Sequence, residues 1–503
     1  MISLTSLESR LWEAANILRG PVDAADFKTY IFPLLFYKRV CDVFDEEMAA
    51  ALAESGGDKR FAAFPENHRF QVPEGAHWAD VRAVSVNVGQ ALQTALRAIE
   101  TANPDTLFGI FGDAAWSNKE RLSDETLTNL IEHFSEVTLA NSNVDNDVLG
   151  QAYEYLIKKF ADTTNKKAGE FYTPRSVVGL IVDILDPQES ETIYDPACGT
   201  GGMLLGAVQH VREAGRDIKT LYGRLFGQEK NLTTAAIARI NLFLHGVEDF
   251  QIVRADTLRS PAFFDGDRLA TFDNVIANPP FSLKQWGAAA WASDPFGRNA
   301  TGVPPESNAD LAWVQHMLRS MAPVRGRMAV VVPHGVLFRG GVEGRIRQSI
   351  LKTDALEAVI GLAPNLFYGA GLAACVLIFH ARKAPERRGR VLILDGSHLF
   401  RKERAQNVLL PEQAAQILAC YQAFEDVENV ARVVTLDEIT ANDGNLNVTR
   451  YIERKSEEVA LTVEEALTNL KASLEAAFAA EDRLKSLLAA SGLIGAEFVG
   501  SSA

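Results

Sequence analysis

Along the first 160 residues the apolar positions return every three or four residues, the period of a helix with one buried face. Leu7, Leu11, Ala14, Ala15 and Leu18 form one such stripe behind the capping candidates Thr5 and Ser6. Phe27, Ile31, Leu34 and Phe44 form a second, in which Pro33 predicts a kink because its ring removes a backbone donor and crowds the preceding turn. Val148, Leu149, Ala152, Tyr153, Leu156, Ile157 and Phe160 form a third. An α-helical N-terminal domain over 1–160 is the expectation, with the stripes packed helix on helix.

From Ala161 to Gly169 the pattern breaks into a polar, lysine-bearing connection, and beyond it short apolar runs alternate with helical stripes. That alternation predicts a doubly wound α/β sheet of Rossmann-like layout over 161–454. Seven strands are expected: Thr192–Tyr194, Leu225–Gln228, Gln251–Arg254, Asn274–Ala277, Arg327–Val332, Leu356–Ile360 and Ala374–His380. The stretch from Ser282 to Asn308 has little periodicity, two tryptophans and the pair Pro304–Pro305; a loop of that length predicts a mobile element that grips substrate. After Tyr451 the composition turns to Glu, Ala, Leu and Lys, and Val463, Leu467, Leu470 and Leu474 follow coiled-coil spacing, with Leu484 and Leu488 beyond. The segment 455–503 therefore reads as a helix that docks on the body or on a partner.

At 503 residues the chain exceeds one compact core, and a hydrophobic fraction of 47% with 23% charged residues is ordinary for a globular protein. No segment approaches the roughly 20 apolar residues that span a bilayer, and the N-terminus has no basic flank leading an apolar stretch; a cytoplasmic protein without membrane attachment is expected. Cys41, Cys198, Cys375 and Cys420 are scattered, fitting neither a disulfide framework nor a zinc site, so reduced thiols and no metal are expected. A net charge of −15 argues against a protein that grips nucleic acid alone over a broad face, since phosphate neutralisation needs Lys and Arg. Either the substrate is not nucleic acid or a partner supplies much of the grip.

Two turns carry the chemistry. Asn278, Pro279, Pro280 and Phe281 follow the buried run Val275–Ala277 directly. There an amide oxygen and a backbone carbonyl can hold an amino group, two prolines stiffen the turn and an aromatic ring can stack on a flat base, which suggests methyl transfer to an exocyclic amine. Asp195 to Gly202 follows a strand and opens a helix, with Gly199, Gly201 and Gly202 allowing close backbone approach. The acidic residue precedes the glycines, which fits a cationic, amino-acid-bearing cofactor better than a pyrophosphate. Glu229 ends the next strand, where a carboxylate commonly binds ribose hydroxyls, and Asp256 ends the one after, placed to accept from an adenine amine. Each alone is an ordinary turn residue; three carboxylates and an asparagine at four strand ends point to one cofactor along the carboxyl edge.

On these residues the chain resembles the methylation subunits of type I restriction-modification systems. The resemblance is carried by Glu170, Phe171, Tyr172, Thr173, Pro174 and Arg175, by Asp195 to Gly202 and by Asn278 to Phe281, in that order. It extends to Asn365–Gly369 and to Asn445–Asn447 with Arg450 and Tyr451. It implies an adenine-specific DNA methyltransferase using S-adenosyl-L-methionine, acting on a flipped-out base in double-stranded DNA. Glu170 to Arg175 would close over the methionine end of the cofactor, Thr200, Gly201 and Gly202 would line it and Glu229 would hold its ribose. Asn278 and the Pro279 carbonyl would orient the target amine and Phe281 would stack on the base. Specificity would come from a separate subunit bound by two methylation subunits, with a motor nuclease joining for restriction.

Cys198, inside the cofactor turn, reads as a packing residue, and His245, His316 and His334 as ordinary helix or loop residues. Lys158, Lys159, Lys166 and Lys167 form a basic cluster that is by default solvated, with phosphate contact as the minority reading. Two other functions stay open on the residues: a methyltransferase for protein glutamine or an RNA base, and a cofactor-binding assembly scaffold without turnover.

Overall fold

Nine strands form one mostly parallel sheet: β1 (Ile193–Asp195), β2 (Leu225–Glu229), β3 (Gln251–Arg254), β4 (Asn274–Ala277), β5 (Arg327–Pro333), β6 (Leu356–Gly361), β7 (Ala374–His380), β8 (Arg390–Asp395) and β9 (Ala431–Thr435), in the order β9-β8-β6-β7-β5-β4-β1-β2-β3. The structure is a computed structural model and describes residues 2–164, 173–367, 373–403, 406–453 and 463–493. The chain starts the sheet at β1, adds β2 and β3 on one side and then returns to lay β4 on the other, both neighbours parallel to β1. A strand order that reverses leaves a crevice beyond the carboxyl ends of the two central strands, because the flanking crossovers depart in opposite directions. Asp195 ends one of those strands and Asn278 follows the other.

All seven expected strands are present, and the sheet has two more. β8 runs parallel to β6, and β9 closes that edge antiparallel to β8. The run Val391–Leu394 is buried on both faces and so shows no alternation, while β9 is a five-residue edge strand, half covered. Neither leaves a period-2 signature to read. β7 is antiparallel to both β5 and β6, so the layout is doubly wound with one inserted strand of opposite sense.

The helical expectation for the N-terminal region holds in its main elements: Leu4–Ile17, Phe27–Glu54, Val88–Ala102, Asp124–Ser135 and Asn146–Thr164. The first is capped by Ser3, whose hydroxyl accepts from the Ser6 amide, rather than by Thr5 or Ser6. The second passes through Pro33, so one lost backbone bond does not end it. The apolar stripes close on one another and on Ile237, Ile240, Phe243 and Leu244 from the helix Leu232–Leu244, which flanks β2 and β3. Phe36 stacks on Phe243 at 5.9 Å, and the buried Tyr153 hydroxyl donates to the Ile237 carbonyl at 3.2 Å. Residues 1–452 are thus one compact unit, and 453–503 form another, whose helix Val463–Ala490 leaves Leu467, Leu470, Leu474, Phe478, Leu484 and Leu487 exposed. Among the described residues no helix is long and apolar enough to cross a membrane.

Two helices that carry the site are clamped at their far ends by an imidazole. His210, on Gly202–Glu213, sits 3.0 Å from Asp183 and 2.9 Å from Asp186, at the end of Arg175–Leu185. Bonding to Asp183, then to Asp186, raises its pKa above the ordinary histidine value despite partial burial. The sign follows: the imidazolium is stabilised in the folded state, so the clamp contributes fully below about pH 6.5 and is lost as pH rises through the elevated value. His210→Asn should lower the melting temperature at pH 6 by about 1 °C, and the difference should vanish by about pH 9 in paired thermal scans.

Candidate functional site

β1 enters the glycine turn with Asp195 buried at 2% exposure. The Ala197 amide donates to its Oδ1 at 2.9 Å. Burial raises its pKa to about 8, against the pull of that amide and with help from the like charge of Glu229. Gly199 and Gly201 have φ of 54° and 82°, the left-handed region where a side chain is strained, and a Cβ on Gly202 would meet nothing within 4 Å. The turn thus folds back on itself through the Gly201 amide and the Cys198 carbonyl at 2.8 Å, and its glycine face opens outward. Cys198 faces the other way: a Cβ on Gly227 of β2 would lie 3.0 Å from its sulfur. Burial pushes that thiol far above its ordinary value, so it packs rather than reacts.

Glu229 closes β2 next to this turn, accepting from the Gly199 amide at 3.2 Å and from the Asn231 amide at 2.7 Å. Burial raises its pKa too. Thr200 is buried, its carbonyl held by the Asn241 side chain at 2.9 Å. Asp256, beyond β3, is a quarter exposed and ion-paired with Lys230 at 3.0 Å, so a ligand amine there would compete with an existing partner.

On the other side of the switch, Asn278 donates through Nδ2 to Thr173 Oγ1 at 3.0 Å, while its Oδ1 is buried without a hydrogen-bond partner. A buried acceptor left unmet costs about 1–3 kcal/mol, which is out of place unless something else fills the valence. Pro279 is buried, Pro280 exposed and Phe281 half-buried, its ring edge-on to Phe367 at 5.9 Å. Ser282 turns the chain with φ 51°, and its amide donates to Asp310 Oδ1 at 2.7 Å. The other Asp310 oxygen takes Arg339 at 2.6 Å, and Arg339 also pairs with Glu343 at 3.0 Å. Sequence reasoning missed Asp310 and Arg339, which lie beyond a long connection from the turn they brace.

Asp310→Ala would remove the buried acceptor of the Ser282 amide and leave Arg339 paired with Glu343 alone. It should lower kcat for the reaction proposed below by about tenfold with cofactor affinity unchanged, as read by steady-state kinetics against a binding isotherm.

The connection 282–308 carries a packed cluster that its composition does not predict. Trp286 and Trp291 meet edge to face at 5.1 Å, and their indole N–H groups donate to Pro305 and Leu258 carbonyls at 2.9 and 2.8 Å. Arg298, buried, pairs with Asp294 at 2.6 Å and lies 4.6 Å from the Trp291 ring centre. Two indoles and a satisfied guanidinium give this segment its own small core without any periodicity to reveal it.

Of the six residues expected to close over a cofactor, Glu170, Phe171 and Tyr172 lie outside the described residues, as do Lys166, Lys167, Tyr368 and Gly369. Thr173 and Pro174 lead into Arg175–Leu185, and Arg175 is ion-paired with Glu154. Lys159 lies 5.3 Å from the Trp12 ring centre. His316 is buried against the Tyr194 hydroxyl at 3.0 Å with its pKa pushed down to about 3 by burial, hence neutral. His245 bonds the Asn241 carbonyl at 2.8 Å, a helix-end contact, and burial lowers the pKa of His334.

Asp195, Gly199, Thr200, Gly202, Glu229, Asp256, Thr173, Arg175 and Asn278 to Phe281 all line one cavity of about 1430 Å³. Gly201 stands beside it, packed against Ala238.

The family model described as N-6 DNA Methylase matches residues 144–460, and one described as HsdM N-terminal domain matches residues 7–134. A type I restriction enzyme methylase subunit of Methanocaldococcus jannaschii, MjaVII, is 35% identical over 463 residues, covering 87% of this chain and 76% of that protein. The MjaIX methylase subunit of the same organism is 29% identical over 95% of this chain and 89% of its own length. Among solved structures, the type I restriction-modification system methyltransferase subunit from Streptococcus thermophilus superposes with a TM-score of 0.77 at 29% identity, over 90% of this chain and all of that one.

Proposed function

The chain belongs to the N-6 DNA methylase family, among the methylase subunits of type I restriction enzymes, and on that premise we propose that it transfers a methyl group from S-adenosyl-L-methionine to the N6 amine of an adenine flipped out of DNA. The observation that carries this reading is the unmet buried oxygen of Asn278, a residue that lines the same cavity as the glycine turn and two buried carboxylates. An exocyclic amine offers two hydrogens, and Asn278 Oδ1 with the Pro279 carbonyl can take both. Accepting them draws electron density onto nitrogen and turns its lone pair toward the methyl donor. Phe281 is half-exposed at the turn, placed to stack on a base once extruded.

The residues present also fit the cofactor. Asp195 has burial and a like charge acting on it, which favours a cationic group such as an α-ammonium, and Gly202 leaves room for it. Glu229, oriented by two backbone amides, is set to take ribose hydroxyls. Thr173 fixes the Asn278 amide, so a cofactor lid of Glu170 to Arg175 would couple cofactor binding to the catalytic turn. When bound, the cofactor supplies a sulfonium-activated methyl group; the chain's part is alignment of the amine, worth several kcal/mol when the reacting atoms meet at about 3–3.5 Å.

A net charge of −15 supports the further reading that DNA grip and sequence choice belong to a specificity subunit, bound by two copies of this chain, with a restriction subunit joining the complex. In the same reading 1–160 is a helical domain, 161–454 the catalytic domain and 455–503 a segment for partner docking, consistent with the apolar face left exposed on Val463–Ala490. The test is transfer of labelled methyl groups to foreign genomic DNA by the chain alone and by the chain co-expressed with its specificity subunit. Label in N6-methyladenine only with the partner is the expected result. Cofactor binding without label in either case would overturn it and favour a protein or RNA substrate.

A further inference from the structure

Besides Asn278, two residues that line the cavity carry a buried polar atom without a hydrogen-bond partner, Asn241 through Oδ1 and Trp313 through Nε1. Trp313 is 5% exposed, lines the cavity that holds Asn278 and Phe281, and its indole Nε1 is buried with no hydrogen-bond partner. The other two tryptophans of its cluster each donate to a backbone carbonyl, so the unmet indole is not a habit of that small core. An indole nitrogen can only donate, so the missing group is an acceptor. Its place is set by the fold. Trp313 stands one helical turn after Asp310, which anchors the Ser282 amide at 2.7 Å, and Leu283 and Ala197 pack on its cluster. It thus stands where the catalytic turn and the glycine turn meet.

We propose that the Trp313 indole N–H donates to a ring nitrogen of the target base next to the amine held by Asn278, and so favours the amine-and-acceptor edge of adenine over the edge of guanine. The inference rests on the methyltransferase reading above. The chemistry is complementary: the amine is a donor met by the acceptors Asn278 Oδ1 and the Pro279 carbonyl, and in adenine it is flanked by N1 and N7, both acceptors without hydrogens. A donor and an acceptor fixed together match that edge. Guanine presents a carbonyl at C6 and a hydrogen on N1, and would leave the amide oxygen facing a carbonyl and unpaired. A site built to hydrogen-bond an edge rejects one that lacks the complement, because its own buried groups are then left unmet.

The test uses the assembled complex with its specificity subunit and duplexes in which only the target adenine is replaced, by 1-deaza-adenine or by 7-deaza-adenine. Trp313→Phe should reduce kcat/KM on the natural duplex about tenfold. One of the two deaza duplexes should reduce the wild type by a similar factor, and Trp313→Phe acting on that duplex should be no slower than either change alone. Effects that multiply, a wild type indifferent to both deaza bases, or a loss confined to the cofactor KM would each overturn the proposal. The deaza result on the wild type keeps the question decidable even if the variant folds poorly. A wild type that methylates no DNA fails the underlying reading instead, which separates the two failures.

Discussion

Asn278→Ala is expected to reduce methyl transfer by on the order of 10³-fold while cofactor affinity and assembly with partner subunits stay unchanged. The change removes the unmet acceptor at the end of β4 and, with it, the bond from Nδ2 to Thr173. Without that oxygen the amine keeps one tether, the Pro279 carbonyl, and is free to swing out of line with the methyl donor. The backbone should hold, because the turn is fixed from outside the side chain: prolines on either side of one peptide bond, and the Ser282 amide on Asp310 at 2.7 Å. Single-turnover transfer of labelled methyl groups, beside a cofactor binding isotherm, is the measurement. Full activity would remove Asn278 from the reacting centre, and a loss of cofactor binding in parallel would recast it as a lid residue acting through Thr173.

Much of this site could be read from the chain because its parts are local. A glycine turn after a strand, a carboxylate at a strand end and a four-residue turn after a buried run are each contiguous, and the parallel sheet brings them to one edge. What stayed hidden is what acts across long separations or through atoms with nothing opposite them. Asp310 and Arg339 brace the Ser282 amide from 28 residues or more away, and no period or motif marks them. Trp313 reads as a core aromatic on a helix stripe until its unpaired nitrogen is seen. The ordered core of 282–308 was masked in the same way, since its stability comes from two indoles and Arg298 rather than from a repeating pattern. The two extra strands show the opposite limit. Val391–Leu394 is apolar enough to belong to either a buried strand or a helix, and only pairing with β6 decides.

The other large effect is expected at Asp195, and it carries a pH signature. Its carboxyl is held at about 8 by burial and the nearby Glu229 charge, so near neutrality the free protein retains a proton there that the unfolded chain, titrating at about 4, does not. Because the folded state binds more protons, stability falls as pH rises from about 4 to 8 and levels off above it. A cofactor bearing an α-ammonium reverses the preference, favouring the carboxylate, so binding near pH 7 should release a proton. Calorimetry of cofactor binding in two buffers of different ionisation enthalpy reads that proton directly. Asp195→Asn keeps the shape and the contact with the Ala197 amide but supplies no charge; it should abolish the proton release and weaken cofactor binding on the order of 100-fold. It should also flatten the fall in stability between pH 4 and 8. A variant with near-normal affinity and an unchanged proton count would show that Asp195 serves the glycine turn alone, and the cationic end of the cofactor would then have to lie elsewhere along the carboxyl edge.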